Sequence, residues 1–337
     1  MSGKIRTSLY LFTLALSCGC VREAPRPSGA GPARAASTGA AARAVDAGQA
    51  PELQRTARGE YVLSLGAAAL RVTLDGTDYD VGVSGVLDWV RRVARAVEAY
   101  YGVFPVPEAQ LFVHAARGRG VHGGHTGPGA VPRVDIQVGR HASLLELERN
   151  WSLAHELVHL ALPNLPRRHH WLEEGLASYV EPLARVRAGL LDEKDVWREW
   201  LDNLHLGLPE AGDLGLDHTP TWGRTYWGGA LYCFLADLEL RKRSHGRSEL
   251  RDALRGILAA GGSIRVDWPI ARVLGAGDAA TQMDVLQELY ARMKDEPVHF
   301  DLPQIWRELG VSEQGGVIVY DDAAPLAELR RSWVRGG

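Results

Sequence analysis

Two histidines four residues apart, His155 and His159, enclose Glu156 in the run His155-Glu156-Leu157-Val158-His159. On a helix, positions i and i+4 lie on one face, one turn apart, so both imidazoles can bind a single Zn²⁺. Glu156 falls at the edge of that face, where its carboxylate can take a proton from a metal-activated water. The chemistry implied is hydrolysis with two His ligands and a Glu general base. A chance HExxH is the competing explanation, so the surroundings must decide.

The run needs a helix. Ser143-Leu144-Leu145-Glu146 has capping-box spacing. Leu147, Trp151, Ala154, Leu157, Val158 and Ala161 continue at three- and four-residue intervals, and Pro163 stops the pattern. One helix from about 143 to 162 is therefore expected. A catalytic zinc takes three protein ligands and keeps one position open. A third His in HExxHxxGxxH is excluded, because Leu162 and Leu165 stand at its Gly and His places. A carboxylate from a second helix is the alternative.

Trp171-Leu172-Glu173-Glu174-Gly175-Leu176-Ala177-Ser178-Tyr179 resembles the W-L-x-E-G-x-A-x-Y signature of the gluzincins, the clan holding the aminopeptidase N and glycyl aminopeptidase families. The resemblance implies Glu174 as third ligand, with Glu173 its competitor. Tyr226-Trp227-Gly228-Gly229-Ala230-Leu231 resembles the Y-x-x-G-A-L segment of both families, and the following DLELRKRSHGRSEL is most similar to the glycyl aminopeptidase family. It implies that the Tyr226 hydroxyl stabilises the tetrahedral oxyanion; an aromatic packed in the core is the alternative. The resemblance covers roughly residues 110–310. No trailing PDZ domain is expected, and the glycine-rich exopeptidase motif, whose Glu binds the substrate α-amine in the aminopeptidase N family, has no counterpart. His122-Gly123-Gly124-His125 occupies that neighbourhood.

The rest of the chain must position these groups. Tyr61–Leu74 reads as two short strands, and Val83–Tyr101 as an amphipathic helix. Leu111–His114 and Val134–Val138 read as strands. The resemblance implies that a strand near here pairs with the substrate backbone, and Val134–Val138 is the expected edge. Gly118–Gly129 reads as an irregular rim loop, His122 and His125 being possible extra ligands. Pro182 limits or kinks the Glu174 helix. Glu181, two turns after Glu174, either orients a ligand His or lies on the surface. Arg224 is a possible substrate handle or a surface residue. Further helices are expected at 248–260, 283–293, 302–309 and 326–334, with a strand at 317–320.

The chain has 337 residues, 46% hydrophobic and 23% charged, with net charge −3. That near-neutral balance gives no argument for nucleic acid. Lys4 and Arg6 precede the apolar run Leu9–Leu16 and then Ser17-Cys18-Gly19-Cys20, a secretory signal too short to span a membrane. Its end resembles a bacterial lipobox, with Cys20 or Cys18 the lipidated residue. Residues 21–58, rich in Ala, Gly, Pro and Arg, read as a flexible tether. Cys233 is the only thiol beyond the signal, so no disulfide is expected, and its apolar surroundings suit a core residue.

The expectation is a signal at 1–20, a tether at 21–58 and an α+β, zincin-like (thermolysin-like) domain at 59–337. A mixed sheet with the HExxH helix occupies 59–165 and a mainly helical lobe 166–337. The resemblance implies one Zn²⁺ on His155, His159 and Glu174, with Glu156 and Tyr226 catalytic. A peptide or protein is the expected substrate, with the chain lipid-anchored on the cell envelope or secreted. A metal-binding lipoprotein without turnover is the rival.

Overall fold

The computed structural model describes residues 53–335. The expected signal segment with Cys18 and Cys20, and the tether as far as residue 52, lie outside the described residues. The strands are β1 (Leu53–Arg55), β2 (Tyr61–Leu65), β3 (Ala68–Asp75), β4 (Glu108–Ala116), β5 (Val121–Gly127) and β6 (Arg133–Gly139), in one mixed sheet of order β1-β2-β3-β4-β6-β5. β1 lies inside the stretch read as tether, so the sheet takes in residues assigned to the linker.

The parallel pair β3–β4 is joined through α1 (Gly82–Tyr101). Val86, Trp89, Val90, Val93, Val97 and Tyr100 bury one face of α1, as its periodicity predicts, and Gly102 ends it in a left-handed turn. β4 and β6 run parallel, and β5 returns antiparallel on the outside of β6.

Two expectations change here. Gly118–Gly129 is not an irregular loop throughout, because Val121–Gly127 pairs with β6. Val134–Val138 therefore lies between two strands, and β5 is the edge on that side. Glycine carries no side chain to alternate, so β5 owes its conformation to its neighbour's ladder.

The single helix expected from Ser143 is two. α2 (Leu144–Arg149) starts with the expected capping box, in which the Ser143 hydroxyl accepts from the Glu146 N–H and the Glu146 carboxylate accepts from the Ser143 N–H. Asn150 then turns extended, and its side-chain oxygen accepts from the Ser152 N–H at 2.8 Å, starting α3 (Ser152–His159) afresh.

The remainder is mainly helical: α4 (His170–Arg187), α5 (Glu193–Asn203), α6 (Gly229–Ser244), α7 (Leu250–Ala259), α8 (Ile270–Thr281), α9 (Val285–Met293), α10 (Leu302–Leu309) and α11 (Ala327–Arg335). A hairpin of β7 (Val311–Gln314) and β8 (Val317–Tyr320) separates the last two helices. Pro182 does not end α4, which continues to Arg187. The core of this lobe stacks Tyr179, Trp197, Trp200, Phe234 and Trp333. At its edge Glu249 takes a bidentate pair from Arg187, at 3.0 and 2.8 Å, and a further bond from Arg241, which also pairs with Asp237. Cys233 is buried and free.

Candidate metal centre and its cleft

α3 carries His155, Glu156 and His159 against the sheet edge, and α4 carries Glu174 across from it. His155 Nε2 lies 3.1 Å from Glu174 Oε2, and His159 Nε2 lies 3.8 Å from Glu174 Oε1. Among the described residues these three form the one His/Cys/Asp/Glu group whose donor atoms converge, all within 4.8 Å. Tetrahedral zinc with bonds near 2.1 Å needs donor–donor edges of about 3.4 Å, which these separations bracket.

The protonation states also suit a cation. Burial and the neighbouring His155 push His159 down to about 3, leaving a neutral imidazole. Burial alone would raise Glu174, but the His155 hydrogen bond and the surrounding histidines bring it down to about 2, leaving a carboxylate. The residues present therefore fit a divalent metal.

Glu173, the competing ligand, is occupied elsewhere. Its Oε1 accepts from the Leu165 N–H and its Oε2 faces His170 Nδ1, each at 3.0 Å. His170, which no motif marks, also reaches Glu174 Oε1 with its Nε2, at 3.4 Å. The bond to Glu173, against a smaller burial cost, raises its pKa.

Glu156 is 8% exposed, and burial raises its carboxyl above the ordinary range. The Thr126 hydroxyl on β5 sits 2.6 Å from Glu156 Oε2 and 2.9 Å from the Glu156 carbonyl oxygen, so its one proton serves either acceptor. Gly124 makes this approach possible, since a Cβ there would lie 2.6 Å from Glu156 Cγ. Nothing in the sequence marks Thr126, which meets Glu156 only through the fold of the sheet.

Tyr226 lies on a wide, π-helical turn (Gly223–Gly228) that leads into α6. Its ring stacks at 6.4 Å from that of His155, and its hydroxyl stands close enough to the Glu174 carboxylate to feel its charge. Burial first, then the Glu174 charge, push Tyr226 up to about 12, so it keeps its proton. Two glycines of the sequence motifs bring it there. A Cβ on Gly175 would collide with the Gly229 backbone, and one on Gly229 with the Trp171 carbonyl oxygen, so α4 and α6 cross backbone to backbone.

A cleft of about 560 Å³ joins these groups, walled by β5 on one side and by α3 and α4 on the other. His122 and His125 line it from the edge strand, outside the converging donor group. Glu181 and Arg224 do something else again. Glu181 is 2% exposed, neither on the surface nor bonded to a ligand His; it pairs with Arg185 at 3.0 Å. Arg224, 4% exposed, pairs with Asp213 at 2.8 Å and donates to the Gly207 carbonyl, so it cannot serve as a substrate handle.

No protein-family profile and no curated protein matches the sequence. Among solved structures, the chain is similar to an aminopeptidase N family protein from Idiomarina loihiensis, with TM-score 0.58 and 16% identity over 76% of this chain and 49% of that one. It is also similar to an M1 zinc metallopeptidase from Deinococcus radiodurans, with TM-score 0.44 and 16% identity over 75% and 52%. Legionella pneumophila aminopeptidase A, in complex with aspartic acid, gives TM-score 0.45 and 14% identity over 72% and 28%. The chain thus spans about half the length of the first two and less of the third. At this identity the first likeness is one of fold: a mixed sheet followed by a mainly helical lobe, as in the aminopeptidase N family protein.

Proposed function

We propose that this chain is a zinc-dependent peptidase of the gluzincin, thermolysin-like kind, nearest in its motifs to the glycyl aminopeptidase family. The observation that carries the reading is the convergence of His155, His159 and Glu174 in one cleft with a buried Glu156 and a protonated Tyr226. The fold shared with an aminopeptidase N family protein supports it.

His155, His159 and Glu174 would hold one Zn²⁺, which when bound supplies the Lewis acidity that acidifies water and polarises a carbonyl. Glu156 takes the proton of the attacking water on a carboxylate oxygen, steadied by Thr126, and returns it to the leaving amine nitrogen. The Tyr226 hydroxyl gives its hydrogen bond to the oxyanion as that charge develops. β5 offers the free edge of the sheet along the cleft, where an extended peptide adds as a further strand. The signal at 1–20, with a lipid on Cys20 or Cys18, would direct the enzyme to the cell envelope.

The test is peptide hydrolysis by the purified protein, abolished by a chelator and restored by zinc. Glu156→Gln should abolish hydrolysis with zinc retained, whereas Glu174→Ala should lose the metal. A Glu156→Gln protein that still turns over, or one that sheds zinc, overturns the assignment.

A further inference from the structure

A second cavity of about 330 Å³ adjoins the cleft and shares Trp151, His155 and Tyr226 with it. Its volume is at the lower end of the range that small ligands and single side chains occupy. Trp222 and Trp227 complete an aromatic wall, and Trp222 is 64% exposed, at the solvent side. Glu181 and Glu199 line the same cavity. It is therefore an aromatic slot with carboxylates, opening beside the Glu174 metal site and the oxyanion donor.

The charges do not balance. Glu181 is paired with Arg185, whose other nitrogen donates to the Arg149 carbonyl. The Glu199 carboxylate has no hydrogen bond or ion pair to any described residue, and it is partly buried. Burial holds both carboxyls above the ordinary range, and for Glu181 the charge of Glu199 adds to the effect, outweighing Arg185. Two further polar groups are short of partners. Pro182 has no N–H to meet the Ser178 carbonyl one turn back in α4, and Ser178 lines the cavity. His155, 4% exposed, lines it too, and its Nδ1 is buried with no hydrogen-bond partner.

We propose that this cavity is a side-chain pocket for a lysine or arginine of the substrate, flanking the bond that is cut. The alkyl stem lies against the indoles, which also favour a cation over their faces. The charged end reaches Glu199 and the Ser178 carbonyl that lines the same cavity, supplying the missing positive charge. The proposal rests on the peptidase reading and names the substrate class of that site.

The experiment compares the full chain with Glu199→Gln on three peptides identical except for lysine, norleucine or glutamate at each position flanking the scissile bond. Glu199→Gln is chosen over Glu181→Gln because Glu199 holds no ion pair whose loss would strand a buried guanidinium, and a thermal melt checks that it folds. At one flanking position the unaltered protein should prefer lysine over norleucine in kcat/KM by about tenfold or more, as charge-assisted recognition gives. Glu199→Gln should lower kcat/KM for the lysine peptide about tenfold more than for the norleucine one. Equal rates for lysine and norleucine at every flanking position, or an equal fall in the variant, overturn the pocket while leaving the peptidase standing. The same peptides titrated calorimetrically onto Glu156→Gln protein, with and without Glu199→Gln, separate the two claims. Lysine-selective binding that depends on Glu199 upholds the pocket even if no peptide is cut; no such selectivity sinks it.

Discussion

Alanine in place of Gly124 tests how closely the edge strand is fitted to Glu156, the proposed general base. The added methyl would lie 2.6 Å from Glu156 Cγ, 2.9 Å from Ile136 Cδ1 and 3.0 Å from the Asp135 carbonyl oxygen. Carbon atoms settle about 3.5–4.0 Å apart, so the Glu156 contact is short by roughly 1 Å. Ile136 is fully buried on the adjacent strand, and the Asp135 oxygen belongs to the sheet, so Glu156 is the group most free to yield. A shift of that size breaks the 2.6 Å contact with Thr126 and takes the carboxylate off its line to the attacking water. Misplacements of about 1 Å at a reacting group cost on the order of 10²-fold, so kcat/KM should fall by about that factor. Stability should move by less. Gly124 has no left-handed φ, and Ala in place of Gly trims unfolded-state entropy by about 0.4–1 kcal/mol, against an overpacking cost of about 1–3 kcal/mol. Steady-state kinetics, zinc content and thermal melts on the two proteins decide the matter. Unchanged kcat/KM with full zinc would refute the close fit and release Glu156 from any dependence on β5.

Tyr226→Phe should lower kcat by about 10²–10³ with zinc content and melting temperature nearly unchanged, since only an oxyanion donor is lost; a Phe variant at the normal rate returns Tyr226 to the core-packing alternative. Glu249→Gln should destabilise the fold by about 3 kcal/mol near neutral pH, because Arg187 keeps its buried charge without its carboxylate and Arg241 is left with Asp237 alone. Burial alone would raise the Glu249 pKa, yet Arg187 and Arg241 bring it below its reference value of 4.5, so its contribution is present above that pH and disappears as pH falls through the lower folded value. Urea melts of the two proteins should therefore differ at pH 7 and converge in acid; a constant difference would refute the linkage. Mass spectrometry of the mature N-terminus should find a diacylglyceryl group on Cys20 or Cys18, and an unmodified terminus beyond residue 20 rules out the anchor.

How far the site can be read from sequence follows from how local each signal is. The two histidines and Glu156 sit within one helical turn, so spacing alone brings them out, whereas Glu174 is legible only through the resemblance of its motif. The break between α2 and α3 is hidden because Leu147, Trp151 and Ala154 keep a helical period through Asn150, whose side chain nonetheless starts a new helix. The Glu181–Arg185 pair has visible i,i+4 spacing and is legible in principle. Arg224 finds Asp213 across a loop, and Thr126 finds Glu156 thirty positions away; no period in the chain records either.

β5 is the least legible element and it sits against the most reactive group, for one physical reason. On the proposed reading, a strand that must admit a peptide on its outer edge and the HExxH helix on its face has little room for side chains. Gly124 leaves that room, and by doing so erases the alternation by which strands are recognised. The same holds where Gly175 meets Gly229. There the absent side chains let two helices close until Tyr226 stands beside Glu174, so that on the proposed reading residues with no chemistry of their own set the distance between the metal ligand and the oxyanion donor. The glycines of the cleft are thus spacers in the proposed mechanism: at Gly124 the neighbour that yields is a side chain, so substitution should cost rate before stability, whereas at Gly175 and Gly229 a Cβ meets backbone and should cost stability as well.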